Sequence, residues 1–300
     1  MLDWQVEIEK IYQKHCNKIE KCDSNTVLYH YTSSAGFLGI INSLSLWLSD
    51  SDFLNDASES YYFYEIYSKA DVHKNSTRKE EIFKFNSSML SYFHTSLHSD
   101  QRVTASRLKE TRYILSLSLD KDNLNLWNYY TKNVNGIGYC LGLKESAFKY
   151  TVHSDETFLS GKVIYDIDVQ KKYLSELVND YWLLYSKLKH TYQRKFLFDK
   201  LEENVVIYSI FMKNPIFAHE NEYRIAIIRT GPDAGKERLF REMNGAFIPY
   251  ITQKIDRFDI CEVGISPTNR AEFVTRSLET LLDANAIEAE IYKSNLPLRY

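Results

Sequence analysis

The sequence predicts an α+β protein, and three observations support this class. Short segments in which apolar and polar residues alternate predict β-strands, for example at residues 44–49 and 113–119. Longer segments with apolar residues three or four positions apart predict helices. The 300 residues include 44% hydrophobic and 26% charged residues, proportions that are typical of a folded globular protein.

The predicted elements begin with an N-terminal helix and a strand at residues 27–31. Ser33 or Ser34 is expected to cap the next helix, because a serine hydroxyl accepts a hydrogen bond from a helix's first turn. The remaining predicted elements are, in chain order, a strand at 44–49, a helical region at about 57–98, a strand at 113–119, a short helix with Trp127 and Tyr130, strands at 139–143 and 163–167, two helices within 172–212, strands at 222–228 and 261–266, a helix that opens with a capping box at 269–272, and a strand at 287–292.

A single domain is expected over residues 1–300, because the chain contains no linker rich in glycine, serine or proline. Helical periodicity persists from about residue 172 to residue 212, which is longer than one compact helix usually runs. We therefore predict a helical insertion at about 172–212, packed as a hairpin of two helices.

The composition also restricts location and partners. The net charge of −3 and pI near 6.3 give no general basic field for nucleic acid. The N-terminus lacks the pattern of a secretory leader, and no segment has the apolar character of a membrane span. The four cysteines match no zinc or redox spacing. We expect a soluble cytoplasmic protein with free thiols and no membrane partner, and the oligomeric state is left open.

Several common catalytic motifs are missing from the sequence. Residues 136–142 are rich in glycine but lead into a predicted strand, whereas the dinucleotide fingerprint opens a helix. The patterns GxxxxGK[ST], HExxH and GxSxG do not occur. Because no cluster of His, Cys and carboxylate residues has the spacing of metal ligands, we expect no metal cofactor.

His30 is the first candidate for a functional residue. It lies where the strand at 27–31 gives way to a helix, which places a titratable ring at the rim of a sheet. The alternative is a histidine that caps the helix or packs in the core.

Glu220, Glu222 and Arg224 form the second candidate. Strand alternation is expected to place them on one face, with successive side chains about 7 Å apart. Two carboxylates on one face can orient a hydroxyl and stabilise positive charge on a sugar carbon, as glycosidic cleavage requires. The alternative is a solvent-exposed row of charges in which Arg224 pairs with Glu222; both interpretations predict a Glu–Arg contact.

Aromatic and polar residues beside two other strands complete the candidates. Trp127 and Tyr130 follow the strand that holds Ser118, where an aromatic ring could stack on a heterocycle or belong to the core. Asn55 and Asp56 lie in a polar loop after the strand at 44–49, where such residues also serve as turn or cap residues.

These motifs, in this order, resemble a bacterial family known as domain of unknown function 2971. The resemblance covers nearly the whole chain and rests on short motifs that occur in register. They are the YHY strand at 29–31, the FLND loop at 53–56, the SLS and WNYY segments at 116–118 and 127–130, the GIGY strand at 136–139, the ENEYR segment at 220–224 and the SNLPLR ending at 294–299.

The family in turn resembles a remote branch of the ADP-ribosyltransferase fold, in which a split β-sheet core clamps NAD. The resemblance therefore implies an ADP-ribosyltransferase-like split β-sheet core with helical insertions and NAD as the substrate. It implies that His30 binds a ribose and that Glu222 stabilises the oxocarbenium-like transition state, while Glu220 is similar to a glutamate that orients the acceptor. An aromatic from the helix after Ser118 would stack on nicotinamide, with Tyr129 as an alternative to Trp127 and Tyr130.

The expected function is transfer of ADP-ribose from NAD to a macromolecule, either a protein or a nucleic acid, as in a toxin or phage-defence effector. The expected contacts to NAD are His30, Tyr31, Asn55, Asp56, Ser118, Trp127, Tyr130 and Arg224. Two alternatives remain open: a non-catalytic module that binds a nucleotide or a partner, and an NAD glycohydrolase in which water replaces the acceptor.

Overall fold

The computed structural model describes residues 2–54, 59–69, 80–82, 85, 87, 110–131, 137–149, 155–231, 237–243 and 245–297. The helices are α1 (Asp3–Cys16), α2 (Ser34–Ser43), α3 (Glu59–Lys69), α4 (Leu124–Thr131), α5 (Ile167–Tyr185), α6 (Thr191–Phe211) and α7 (Val274–Ala284). The strands are β1 (Val27–Ser33), β2 (Ser45–Asp50), β3 (Thr111–Ser118), β4 (Gly138–Lys144), β5 (Glu156–Lys162), β6 (Glu222–Arg229), β7 (Leu239–Met243), β8 (Ala246–Lys254), β9 (Ile260–Ile265) and β10 (Glu290–Lys293). The predicted α+β class is confirmed.

The chain divides into two compact units. The first consists of Met1–Glu20, Asp56–Leu108 and Ile164–Pro215, and the second of Lys21–Asn55, Lys109–Val163 and Ile216–Tyr300. The structure has two helices, α5 and α6, in the region of the predicted helical hairpin. A single domain with an insertion at about 172–212 stays a prediction.

The first unit contains α1, α3, α5 and α6, and a buried histidine joins three of these helices. His15 of α1 is fully buried, and its ring nitrogens lie 2.9 Å from the Tyr208 hydroxyl of α6 and 2.9 Å from Asp180 Oδ2 of α5. Burial is the largest influence on the pKa of His15 and lowers it. Because each ring nitrogen has a partner, burying this side chain leaves no unsatisfied polar group on it.

The second unit is built on one mixed sheet of ten strands. The strand order is β10-β9-β4-β1-β3-β2-β8-β7, and β6 pairs with both β3 and β5. The β10–β9 pair is parallel and the other pairs are antiparallel. The main apolar core includes Phe37 of α2, Leu117 of β3, Leu141 of β4 and Leu278 of α7.

The pairing of β3 leaves a break in this sheet. A strand has two edges, and β6 pairs with β3 from Thr111 to Ser118 along one of them. The other edge is shared by two strands. On it β1 pairs with β3 at one position, where Tyr29 lies opposite Ser118, and β2 pairs with β3 only at Tyr113 and Ile114. Among the described residues, no strand pairs with that edge at residues 115–117. We call this break the notch.

The structure confirms most predicted elements and corrects three. Ser33 is the N-cap of α2, and its side chain accepts a hydrogen bond from Gly36 N. The strand predicted at 163–167 is wrong, because β5 lies earlier and the chain then turns into α5, which Asp166 caps. The capping box predicted at 269–272 is also wrong, since α7 begins at Val274 after Phe273. The last strand begins at Glu290 rather than at residue 287.

Two further regions complete the comparison with the predicted elements. The hairpin of β7 and β8 was not predicted, although the Asn-Gly pair at 244–245 is a typical hairpin signal and Gly245 has a φ of 81°. Within the helical region predicted at about 57–98, the structure describes α3 and a few isolated residues, and the rest lies outside the described residues. No helix of the described segments has both the length and the apolar composition to cross a bilayer.

The end of α7 allows a test of backbone strain. Exposed Ala286 has a left-handed φ of 52°, and the turn is closed by a hydrogen bond from Ile287 N to Leu282 O. Because glycine adopts this conformation without steric penalty, Ala286→Gly should raise the free energy of unfolding by about 0.5 kcal/mol. The matched control Ala284→Gly, at the last helical position, should lower it by up to about 1 kcal/mol. Urea denaturation measures both, and an equal loss of stability in the two variants would contradict the assignment.

Candidate functional site

His30 lies at the notch, on the strand that turns away from β3. The backbone of Ser116, in the part of β3 that lacks a strand partner on that edge, interacts with the ring and raises its pKa. If the β1–β3 ladder continued, Ser116 would lie opposite Tyr31. Ser33, not His30, is the N-cap of α2, and the role of His30 as a ribose contact stays a prediction.

The environment of His30 keeps its ring neutral at pH 7. The pKa of His30 is lowered from 6.5 to about 4, mainly by burial and in smaller part by the positive charge of Arg241, although the interaction with the Ser116 backbone acts in the opposite direction. A neutral imidazole has one nitrogen that donates and one that accepts, so this ring can accept a hydrogen bond from a hydroxyl group.

Glu222 and Arg224 form a buried ion pair on β6. Arg224 Nε donates to Glu222 Oε1 and Arg224 Nη2 donates to Glu222 Oε2, both at 3.0 Å. The side chains are only 4% and 1% exposed. The predicted Glu–Arg contact is confirmed, whereas the alternative of a solvent-exposed row of charges is wrong.

The ion pair lies one strand away from the notch. Glu222 is registered with Ser118 of β3, and Ser118 is registered with Tyr29 of β1. Since neighbouring strands are about 4.8 Å apart, the backbones of Glu222 and Tyr29 are separated by roughly 10 Å. Sheet pairing therefore places the backbones of His30 and Glu222 in one region of the second unit, although alternation along β1 directs the side chain of His30 to the opposite face from that of Tyr29.

Glu220 does not share the strand with Glu222. It ends a 3-10 helix that spans Pro215–Glu220, and Asn221 then has a φ of 43° before β6 begins. The expectation that alternation places Glu220 on the face of Glu222 is wrong, because alternation applies only within an extended strand. Ser118 contacts this turn directly, since its hydroxyl donates to Glu220 O at 2.8 Å and accepts from Asp120 N at 3.1 Å. An acceptor-orienting role for Glu220 stays a prediction.

Tyr31 and Trp127 belong to a small buried cluster. Trp127 is fully buried, its ring lies 4.9 Å from that of Tyr31 in an edge-to-face arrangement, and its Nε1 donates to Asp122. The Tyr31 hydroxyl donates to Asp120 O and accepts from Asn123 N. In this arrangement a ligand ring could stack on Trp127 only if the cluster opened.

Tyr129 and Tyr130 are the exposed aromatic residues of α4, at 57% and 45%. The Tyr129 hydroxyl lies 3.1 Å from His219 Nε2. Of the aromatic candidates for nicotinamide stacking, these two therefore have accessible side chains. Asn55 and Asp56 lie outside the described residues.

Arg241 of β7 is a residue of this region that sequence reasoning missed. Its Nη2 donates to Ser49 on β2 at 2.9 Å, and its charge affects the pKa of His30. The signal that could have found it is the Asn-Gly pair at 244–245, which is typical of a hairpin turn and would have placed Arg241 on the strand before that turn. Over the described parts of the chain, no group of three or more His, Cys, Asp or Glu residues could hold a metal ion.

Comparison with known proteins gives one family match. The model of a family described as protein of unknown function (DUF2971) matches residues 126–225, a third of the chain. The matched segment contains Trp127 as well as Glu222 and Arg224, so it supports the resemblance to that family. No curated protein and no solved structure matches the chain.

The pKa of His30 predicts how stability depends on pH. Because the folded-state pKa of about 4 is below the unfolded value of 6.5, the unfolded chain binds more protons between these values. The contribution of His30 is therefore complete above pH 6.5 and is lost as the pH falls towards 4. In His30→Gln the free energy of unfolding should fall less steeply over this interval, measured by urea denaturation at several pH values.

His15 provides the control, since its pKa is also lowered and it lies in the first unit. His15→Gln should leave the pH dependence due to His30 in place, and the ring signals of His30 in an NMR titration should shift near pH 4. A midpoint near 6.5 would contradict the buried position of the ring.

The Glu222–Arg224 pair makes a prediction about folding that can be checked before any activity is known. Glu222→Gln leaves the Arg224 charge buried without its counter-ion, so the free energy of unfolding should fall by about 3 kcal/mol. Glu156→Gln is the matched control, because Glu156 pairs with Arg229 of the same strand at 2.7 Å in a similarly buried setting. If the free energy of unfolding fell by less than about 1 kcal/mol in both variants, the two ion pairs would be solvent-exposed rather than buried.

Proposed function

We propose that the protein binds NAD at the notch and transfers its ADP-ribose to a macromolecule. The observation that carries this proposal is the break in the sheet beside residues 115–117, with His30 on one flanking strand and Glu222 registered across β3. A sheet that divides at one strand, with a histidine on the first strand and a glutamate on a late strand, fits the split core of the ADP-ribosyltransferase fold.

In this proposal His30 positions the substrate. Its neutral ring accepts a hydrogen bond from a ribose hydroxyl through one nitrogen. Because this contact is the same in the ground state and the transition state, it contributes to binding more than to the rate.

Glu222 supplies the electrostatic stabilisation of the reaction. When the bond between nicotinamide and ribose breaks, its electron pair leaves with nicotinamide and positive charge grows on the ribose carbon. A carboxylate held in place before the reaction stabilises this charge most effectively in a partly dry site. Arg224 fixes the orientation of the Glu222 carboxylate, and a carboxylate oxygen can accept more than one hydrogen bond, which is compatible with a ribose contact.

In the last step of the reaction, a nucleophilic oxygen or nitrogen of the acceptor forms a bond to the ribose carbon and loses its proton. We infer a protein or nucleic acid as the acceptor and a cytoplasmic role as a toxin or phage-defence effector. Water as the acceptor would make the protein an NAD glycohydrolase.

A second candidate is a non-catalytic nucleotide-binding module on the same fold. The burial of Glu222 and the engagement of both its oxygens by Arg224 favour this alternative, since a purely structural pair has the same geometry. NAD binding without nicotinamide release would favour the module over the enzyme.

Glu222→Gln tests the proposed chemistry. Turnover should fall on the order of a hundred to a thousandfold, because the stabilising charge acts mainly in the transition state. The assay measures free nicotinamide and labelled macromolecule together, with NAD and a cell extract. Since this variant is also expected to be less stable, circular dichroism must show that it is folded at the assay temperature.

Glu156→Gln is again the matched control, because it removes a comparable ion pair from the same sheet and should retain full turnover. Equal losses of turnover in the two variants would assign the effect to folding, and full turnover in Glu222→Gln would refute the catalytic role of Glu222.

A further inference from the structure

Arg241 reaches across the sheet from the edge strand β7. It is registered with Ile248 of β8, yet its guanidinium group lies over β2, where Nη2 donates to Ser49 Oγ at 2.9 Å. The guanidinium carbon is 5.7 Å from the centre of the Trp47 ring. The side chain therefore crosses β8, and its positive charge lies over β2, the strand beside β3.

The Nε of Arg241 is buried and has no hydrogen-bond partner. Other arginines of the second unit are engaged differently, since Arg224 and Arg229 each pair with a glutamate. Arg238 donates to the Tyr113 hydroxyl through Nε and to Thr111 Oγ1 through Nη2. A buried donor without an acceptor destabilises the folded protein, so an acceptor that reaches this guanidinium group gains a correspondingly strong contact.

The electrostatic setting of Arg241 favours an anion. Burial lowers its pKa, and the groups that raise it are Tyr250 and Tyr130 rather than a carboxylate. No carboxylate in the described part of the chain forms an ion pair with it. A guanidinium group matches a phosphate in charge and in the geometry of its donors.

Trp47 adds a flat aromatic surface beside this cation. Its side chain is 45% exposed, and its ring lies 4.5 Å from that of Tyr250 on the next strand. An exposed tryptophan can stack with a nucleobase, and such stacking is largely independent of which base is bound. The separation of 5.7 Å between the guanidinium carbon and the ring is short enough for one nucleotide to contact both.

We propose that Arg241 and Trp47 form a nucleotide subsite, in which the guanidinium group of Arg241 donates to a phosphate and Trp47 stacks on the base. This inference goes beyond the proposed function, because a protein that never cleaves NAD could bind a nucleotide here. The nucleotide belongs either to a dinucleotide such as NAD or to a single-stranded nucleic acid, which share this chemistry.

The test is isothermal titration calorimetry of the full chain with AMP and with ribose 5-phosphate. Arg241→Gln should weaken both ligands by about tenfold or more, because a charge-assisted hydrogen bond is lost. Trp47→Leu should weaken AMP by about tenfold and leave ribose 5-phosphate unchanged, since only the base stacks. Arg238→Gln is the matched control and should leave the affinity for AMP unchanged, because Arg238 already has partners within the protein.

Competition identifies the source of the nucleotide. Displacement of AMP by NAD or by a short single-stranded oligonucleotide supports the subsite and names its ligand. No binding of AMP at millimolar concentration, or equal affinities in wild type and Arg241→Gln, would overturn the proposal. Its failure is distinguishable from that of the proposed function, because Glu222→Gln should retain AMP binding while nicotinamide release is lost.

Discussion

The second unit depends on a simple geometric constraint, namely that a β-strand offers two edges for hydrogen bonding. Because β6 occupies one edge of β3 over its full length, β1 and β2 must share the other. They pair with different parts of β3, and the backbone between them lacks a strand partner on that edge. The ring of His30 interacts with this stretch of backbone at Ser116. The break in the sheet therefore leaves backbone groups of β3 open to contact with a side chain.

Charge is distributed unevenly around this break. On β6 the guanidinium groups of Arg224 and Arg229 each pair with a buried glutamate. On the opposite side of β3, Arg241 donates to a serine hydroxyl, and within the described residues it has no ion pair with a carboxylate. The positive charge of Arg241 contributes to the lowered pKa of His30. Negative and positive groups are thus paired on one side of β3, while a positive charge without a carboxylate lies on the other.

The sequence predicted those elements whose structure is determined by the residues of a short segment. Alternation located β1, β3 and β6, because these strands are half-buried or buried and their apolar residues are spaced accordingly. The alternating residues at 163–167 gave a wrong prediction of a strand. The chain leaves the sheet there and enters α5, and this change of direction depends on tertiary packing. In the candidate site, alternation predicted the contact between Glu222 and Arg224. It gives no information on whether the surrounding protein covers the face of β6 on which these two residues lie. The notch itself could not be predicted, since strand order is a property of pairing between distant segments.

The interaction between His30 and the Ser116 backbone also affects how this part of the sheet responds to mutation. Backbone hydrogen bonds in a sheet are almost independent of sequence, because every residue except proline carries the same donor and acceptor. At the notch the Ser116 backbone interacts with one side chain instead. A substitution of a single codon can therefore remove this interaction, whereas in the paired parts of the sheet only a change to proline removes a backbone donor.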